Sequence, residues 1–184
     1  MTPRAHTTPG AHVTPRPSGS PAATATPTAS PTATATPKQA PEVKSGELAS
    51  EKVCPDQSDT TKTAAALACL TTYARTLHGL PAVQANSQLM AAATAKDQDM
   101  VKCGMSHTAC GRDAGYWVTN KGYTGHCTGE NIAEGQKTPR EVFAAWMASP
   151  GHRANILNKS YKDLGVAEAS GSHGPMWAME LGGC

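Results

Sequence analysis

Two histidines and one glutamate are the residues of this chain that could do chemistry together. His107 and His152 each lie where the chain turns, beside the small residues Ser106 and Gly151, and neither belongs to an obvious apolar face. Glu130 lies within an otherwise apolar run, where a carboxylate is costly to bury unless it is paired or hydrogen-bonded. Neutral imidazoles bind divalent metals, and an imidazole beside a carboxylate can transfer protons near neutral pH. We therefore predict that folding brings these three groups together at one groove.

Each of these residues also has a purely structural interpretation, which the sequence leaves open. The histidines could be satisfied by backbone groups, and Glu130 could accept backbone N–H bonds that fix a loop. Two further histidines, His126 and His173, lie on glycine-rich loops and are expected to face water.

The motifs that the sequence lacks narrow the chemistry. It contains no Gly-x-Ser-x-Gly elbow, no Walker-type phosphate loop, no His-Glu-x-x-His and no Gly-x-Gly-x-x-Gly. A binding module is therefore favoured over an enzyme. The alternative is a hydrolase acting on peptide or cell-wall substrates, in which Glu130 or a histidine is the general base on a water molecule, with or without metal activation.

Six cysteines, an even number, are typical of a disulfide framework in an oxidising compartment. The sequence leaves the pairing open, and short spans favour Cys54–Cys69, Cys103–Cys110 and Cys127–Cys184. A zinc site is the competing interpretation, because several possible ligands lie close in sequence, but they lack a C-x-x-C knuckle. Those ligands are Cys103, His107, Cys110, His126 and Cys127.

Composition divides the chain in two. Nine of the 14 prolines lie within the first 41 residues, among alanine, threonine and serine, whereas all the aromatic residues lie later. We predict a disordered tail or stalk over residues 1–53 and one folded domain over residues 54–184. The net charge of +2 indicates no basic nucleic-acid surface.

The expected location rests on the cysteines. No apolar run reaches the roughly 18 residues of a membrane helix, and the N-terminus lacks the apolar core of a secretory signal. Disulfides nevertheless indicate an extracellular or cell-surface protein. A truncated or mis-started reading frame, another export route, or a reduced cytosolic protein would each reconcile the two observations.

Hydrophobic periodicity predicts two helices before the candidate site. The first has an N-cap at Ser58 or Asp59, ends at Gly79, and presents one apolar face: Leu67, Leu70, Tyr73, Ala74 and Leu77. The second begins near Asn86 or Ser87 and runs through Leu89, Ala93, Lys96 and Met100. Residues 104–128 contain five glycines and no steady period, so they predict a loop with at most a helical turn near Trp117.

The second half of the domain combines strands with one capped helix. Residues 129–133 are a strand candidate. Thr138 as N-cap, Pro139 at the first helical position and Glu141 at the third predict a helix that stops at residues 149–151. Residues 165–170 and 176–181 predict two strands, with Trp177, Met179 and Leu181 alternating on one face. Trp146 and Trp177 are expected in the core. This order predicts an α+β fold, with helices on both sides of a small antiparallel sheet.

Several segments resemble the bacterial branch of the CAP superfamily, the cysteine-rich secretory, antigen-5 and pathogenesis-related-class-one proteins, also called SCP domains. The resemblance rests first on the sequence Gly-Glu-Asn-Ile-Ala at residues 129–133 and on Trp146 through Leu157. Further segments are similar to the family over roughly residues 60–183. They are Arg75 to Pro81, Ser106-His107, Tyr161 to Gly165 and Trp177 to Gly182.

The resemblance implies an α-β-α sandwich with a three-stranded antiparallel sheet. It also implies a central cavity lined by His107, Glu130 and His152. From the chemistry of these residues we expect the cavity to hold an unknown small ligand, a lipid or a divalent cation such as zinc or magnesium, with the two histidines as the metal ligands. Eukaryotic members add a second glutamate at the position of Ser149. We include Ser149 among the ligand-binding residues, and Glu134 or Glu141 could supply the missing carboxylate.

Overall fold

The computed structural model describes Cys54 and residues 63–184. The predicted tail and the predicted N-cap of the first helix lie outside these residues. The elements follow the order α1 Thr63–Leu77, β1 Gln84–Ala85, α2 Ser87–Cys103, a 3-10 turn Ala109–Gly111, α3 Tyr116–Asn120, β2 Cys127–Glu134, α4 Pro139–Ala148, α5 Pro150–Ile156, β3 Tyr161–Gly171 and β4 Gly174–Gly183.

Four strands form one sheet in the order β1-β3-β4-β2. The three predicted strands are present, and both of their pairings are antiparallel. The fourth strand, β1, was not predicted. It is two residues long, both exposed, and it pairs parallel with β3. Its sequence carries no alternating pattern, so only the pairing with a distant segment reveals it.

The two faces of the sheet bury two separate cores, which makes the fold an α-β-α sandwich. Trp177, Met179 and Leu181 of β4 pack on one side with residues of α1, α4 and α5. Met176 and Ala178 of the same strand pack on the other side with residues of α2 and α3. Alternation along a strand sends successive side chains to opposite faces, and the prediction of an α+β sandwich is confirmed.

Helix ends agree with the sequence at two N-caps and differ at one junction. Asn86 Oδ1 accepts hydrogen bonds from the backbone N–H groups at the start of α2, and Thr138 Oγ1 accepts one from Glu141 N at 3.2 Å. Glu141 Oε2 accepts from Lys137 N at 2.7 Å, one residue before the N-cap. The stop predicted at residues 149–151 ends α4, but Pro150 then begins α5, since proline suits a first helical position.

Helix α1 confirms most of its predicted face and contributes a buried cation. Leu67, Leu70 and Ala74 are buried, whereas Leu77, in the last turn, is 42% exposed and does not belong to that face. The fully buried Arg75 donates hydrogen bonds to four backbone carbonyls, those of Pro81, Ile156, Asn158 and Tyr161. One guanidinium therefore joins α1 to the end of α5 and the start of β3.

A glycine in β3 lets α2 lie directly on the sheet. A Cβ atom on Gly165 would lie 2.0 Å from the backbone carbonyl carbon of Leu89, so no larger residue fits without moving the helix. Gly165 pairs with Glu180 of β4, which pairs in turn with Glu130 of β2. The close approach of α2 therefore buries the row of residues that leads to Glu130.

Three disulfides connect the described cysteines in the pairs that the short spans favour. They are Cys54–Cys69, Cys103–Cys110 and Cys127–Cys184. The zinc interpretation is therefore wrong for Cys103, Cys110 and Cys127, because a disulfide sulfur is not the thiolate that zinc requires.

Candidate functional site

The centre of the candidate site is a hydrogen-bonded pair formed by His107 and Glu130. His107 Nδ1 lies 2.6 Å from Glu130 Oε1, and the imidazole is 56% exposed while the carboxylate is 15% exposed. His107 comes from the loop between α2 and α3, whereas Glu130 comes from the edge strand β2. The sequence prediction that these two residues meet agrees with this geometry.

Lys96 of α2 lies beneath the pair and holds it from inside. Its side chain is fully buried, its Nζ donates to His107 O at 2.8 Å, and Nζ lies 3.3 Å from Glu130 Oε1. Nζ also lies 3.7 Å from the centre of the Trp117 ring, in a cation–π contact. Burial lowers the pKa of Lys96, and the charge of Glu130 opposes that shift. The lysine thus positions both the loop and the carboxylate.

His152 reaches the same region from α5. Its backbone carbonyl accepts a hydrogen bond from Asn131 Nδ2 at 3.1 Å, and Asn131 neighbours Glu130 on β2. Burial lowers the pKa of the His152 ring, and electrostatic repulsion from His107 adds to that lowering. The His152 ring therefore favours the neutral form.

Asn155 completes the contact between α5 and β2. Its Nδ2 donates to Glu130 O at 3.1 Å and to Asn131 Oδ1 at 2.9 Å. These two neighbouring residues of β2 are therefore fixed by one short helix. Asn131 is buried, and both polar atoms of its side-chain amide have hydrogen-bond partners, as a buried amide requires. Its role is therefore structural.

The other candidate residues from the sequence differ in their burial and in their partners. Ser149 is half-buried at the junction of α4 and α5, and its side chain does not cap α5. Glu134 lies 3.6 Å from His173 Nδ1, and Glu141 accepts from Lys137 N, so each carboxylate has another partner. His126 and His173 are exposed, as expected, and Trp146 and Trp177 are buried in the core.

His107 and His152 are the predicted ligands of zinc or magnesium, and the donor groups around them limit that role. Among the described residues, no three histidine, cysteine, aspartate or glutamate side chains are arranged to hold a metal ion. His107 Nδ1 is already engaged by Glu130, which leaves only Nε2 of that ring for a ligand. A metal held here would have one nitrogen from each histidine and no third protein donor in this arrangement.

Two buried residues of the site were missed, although the sequence carried a signal for each. Lys96 follows the apolar spacing of Leu89, Ala93 and Met100 along α2, and a lysine buried there must find a partner when the helix packs. Glu180 interrupts the apolar run of β4 and projects opposite to Met179 and Leu181. It is 2% exposed and lies directly across from Glu130 in the sheet.

The disulfide Cys103–Cys110 encloses the loop that carries His107. We expect the double substitution Cys103→Ser/Cys110→Ser to lower the free energy of unfolding by about 2 kcal/mol, because the crosslink restricts the unfolded chain. Amide hydrogen exchange in residues 104–109 should become faster, since the loop retains only its noncovalent contacts. Urea unfolding and hydrogen-exchange mass spectrometry measure the two effects. Unchanged exchange in this segment would show that noncovalent contacts, among them that of Lys96 with His107 O, are enough to hold the loop.

Comparison with known proteins identifies similar sequences over most of the described region. Residues 70–181 match the model of the cysteine-rich secretory protein family, CAP. The protein YkwD of Bacillus subtilis, itself uncharacterised, is 38% identical over 114 residues, which are 61% of this chain and 44% of YkwD. The chain thus spans less than half the length of that relative.

Solved structures share the fold at low sequence identity. An extracellular protein containing an SCP domain from Bacillus anthracis aligns with a TM-score of 0.62 and 23% identity, covering 68% of this chain and 41% of its own. An outer surface protein of Borrelia burgdorferi aligns with a TM-score of 0.63 and 18% identity, covering 70% of this chain and 96% of its own. These likenesses establish the architecture.

No helix within the described part of the chain is long and apolar enough to cross a membrane.

Proposed function

The chain belongs to the CAP family, and from that premise we propose that it is an extracellular binding module whose His107, Glu130 and His152 hold a small polar ligand. Two proteins of similar fold are named as extracellular and outer surface proteins. The three disulfides favour the same location, since disulfides persist in oxidising compartments.

The observation that carries this proposal is the 2.6 Å contact between His107 Nδ1 and Glu130 Oε1. An ionised carboxylate only accepts hydrogen bonds, so Nδ1 bears the proton and the neutral ring has a free acceptor at Nε2. His152, kept neutral by the lowered pKa, provides a second acceptor nitrogen. Two acceptors near one exposed edge suit a ligand that presents hydroxyl or amide N–H groups.

The floor of the site argues against the other two ligand classes considered from the sequence. Lys96 and Glu130 place charge directly below the imidazoles, where an acyl chain would desolvate them without replacing their hydrogen bonds. A lone divalent cation would have only two imidazole nitrogens. A cell-wall glycopeptide, rich in hydroxyl and amide groups, fits the acceptors best.

Isothermal titration calorimetry with muramyl dipeptide, a soluble cell-wall glycopeptide, tests the proposal. We expect the wild-type protein to bind and His107→Ala to bind about fivefold more weakly, because a hydrogen bond between neutral groups contributes about 1 kcal/mol. His173→Ala is the matched control, since His173 also lies beside a glutamate but on the distant hairpin.

Two outcomes would contradict the proposal that His107 helps to bind a glycopeptide. One is no binding by the wild-type protein, and the other is equal binding by wild type and His107→Ala. A parallel titration with zinc chloride separates the cation interpretation, because cation binding at this site must disappear in His107→Ala/His152→Ala.

A second candidate function is that of a hydrolase. It is favoured by the His107–Glu130 pair, because an imidazole hydrogen-bonded to a carboxylate can transfer protons in catalysis. A carboxylate that orients an imidazole through Nδ1–H makes the other ring nitrogen a general base. The base would then be His107 and not Glu130, whose carboxylate already contacts His107 and Lys96. If the glycopeptide or a peptide is hydrolysed, His107→Ala should reduce the rate by a factor of about a hundred or more. An unchanged rate would exclude this mechanism.

A further inference from the structure

A buried carboxyl group lies directly behind the His107–Glu130 pair. Glu180 is the register partner of Glu130 in the antiparallel pairing of β2 and β4, so both side chains project from the same face of the sheet. Glu180 is 2% exposed, and its Oε1 has no hydrogen-bond partner. Side chains directly opposite each other in an antiparallel pair have Cβ atoms about 4.5–5.5 Å apart, so the carboxyl groups of Glu180 and Glu130 are near enough to meet. Two carboxyl groups in contact away from water cannot both be ionised without a large repulsion.

Asp97 adds a third carboxyl group to the acidic side chains buried in this region. Asp97 of α2 is 1% exposed, and neither of its side-chain oxygens has a hydrogen-bond partner. The titratable groups near it are Glu168 of β3, Glu130 of β2, Glu180 of β4 and Lys96 of its own helix. Glu168 itself accepts a hydrogen bond from Thr63 Oγ1 at 2.9 Å.

The charges of this cluster do not balance unless protons are bound. Lys96 is the one cation that acts on Glu180 and Asp97 at close range within the described residues. Its Nζ lies 3.3 Å from Glu130, which also contacts His107 and is more exposed than Glu180. The single negative charge therefore belongs on Glu130. An isolated buried carboxylate would cost far more than protonation does.

We propose that Glu180 holds a proton at neutral pH and donates it in a hydrogen bond to Glu130, which makes Glu180 a positioning residue for the His107–Glu130 pair. Glu130 then accepts from three donors on three elements: His107 of the loop, Lys96 of α2 and Glu180 of β4. A carboxylate held from three directions cannot rotate, so it fixes the proton of His107 on Nδ1 and leaves Nε2 free.

Burial and the neighbouring charges support this assignment of the proton. Burial raises the pKa of Glu180 well above its ordinary value, the Glu130 carboxylate raises it further, and Lys96 opposes the shift only in part. The inference rests on the proposed function in one respect alone, which is the use of Nε2 for a ligand.

Infrared spectroscopy of the ligand-free protein tests the position of the proton. At pH 7 the wild-type protein should show a protonated-carboxyl C=O band that shifts when glutamate is labelled with 13C, and this band should disappear in Glu180→Gln. Labelling of glutamate alone separates this signal from that of Asp97. Absence of the band from the wild-type spectrum, or its persistence in Glu180→Gln, would overturn the proposal.

The positioning role has its own readout in 15N NMR of the imidazole rings at pH 7. We expect His107 to be the Nδ1–H tautomer in the wild-type protein, a mixture of tautomers in Glu180→Leu, and the Nδ1–H tautomer again in Glu180→Gln, whose amide N–H can donate to Glu130. The same tautomer in all three proteins would overturn the positioning role. Because no ligand is present, failure of the glycopeptide titration would not affect this result, and the reverse also holds.

Discussion

Replacing Lys96 by methionine is expected to lower the free energy of unfolding by about 3–5 kcal/mol, the range for removing one partner of a buried ion pair. The substitution keeps the length of the side chain and removes the charge. It leaves Glu130 without its cation and His107 O without its donor. The loop that carries His107 would then depend on the Cys103–Cys110 disulfide. Urea unfolding at pH 7 measures the change in unfolding free energy. If the slope of that free energy against urea concentration is the same in both proteins, the folded and unfolded states have kept their compactness.

Lys102→Met is the matched control for this substitution. Lys102 lies in the last turn of α2 and is exposed, so the control should change stability by no more than about 0.5 kcal/mol. A loss of less than about 1 kcal/mol in Lys96→Met would mean that the buried ammonium adds little to the site.

Replacing Asp97 by asparagine should remove a pH dependence of stability. Burial raises the pKa of Asp97 from 3.8 to about 8, and the charges of Glu168 and Glu130 add to the shift while Lys96 opposes it. Between these values the unfolded chain has lost the proton that the folded protein keeps. Stability contributed by this residue therefore falls as pH rises through that window, by about 1.4 kcal/mol per pH unit, and changes no further above about pH 8.

The measurement is the free energy of unfolding of both proteins at several pH values from 4.5 to 7.5, chosen to lie within that window. The difference in unfolding free energy between Asp97→Asn and the wild-type protein should grow in favour of the variant as pH rises, with the same slope. Near pH 7 this gain should reach about 4 kcal/mol, from which the cost of burying the new amide must be subtracted. Asp113→Asn, in an exposed loop, is the control and should show no such trend. Parallel curves for wild type and Asp97→Asn would show that Asp97 is ionised in the folded protein.

The sequence predicted the parts of this fold that depend on local chemistry. Asn86 and Thr138 are N-caps because their side chains reach backbone N–H groups two or three residues ahead, and that spacing is visible in the sequence. The alternation of Trp177, Met179 and Leu181 likewise follows from the geometry of a single strand. The meeting of His107 and Glu130 was expected from their unusual settings and from the family resemblance.

The parts that the sequence did not predict depend on contacts between distant segments. Strand β1 exists because residues 84–85 meet β3, and two residues carry no periodic pattern. The role of Glu180 depends on its register with Glu130, which the sequence of β4 alone does not specify. Lys96 was recognised on its helix face, but its partners come from the loop and from β2.

The amide of Asn155 has a consequence for the way this protein meets other copies of itself. Strand β2 lies at the border of the sheet, and the carbonyl of Glu130 accepts a hydrogen bond from that amide. Unpaired backbone groups along such a border are templates on which another chain can add a strand and begin to aggregate. By occupying a carbonyl in the middle of β2, α5 hinders strand addition beside the residue that holds the exposed His107 ring.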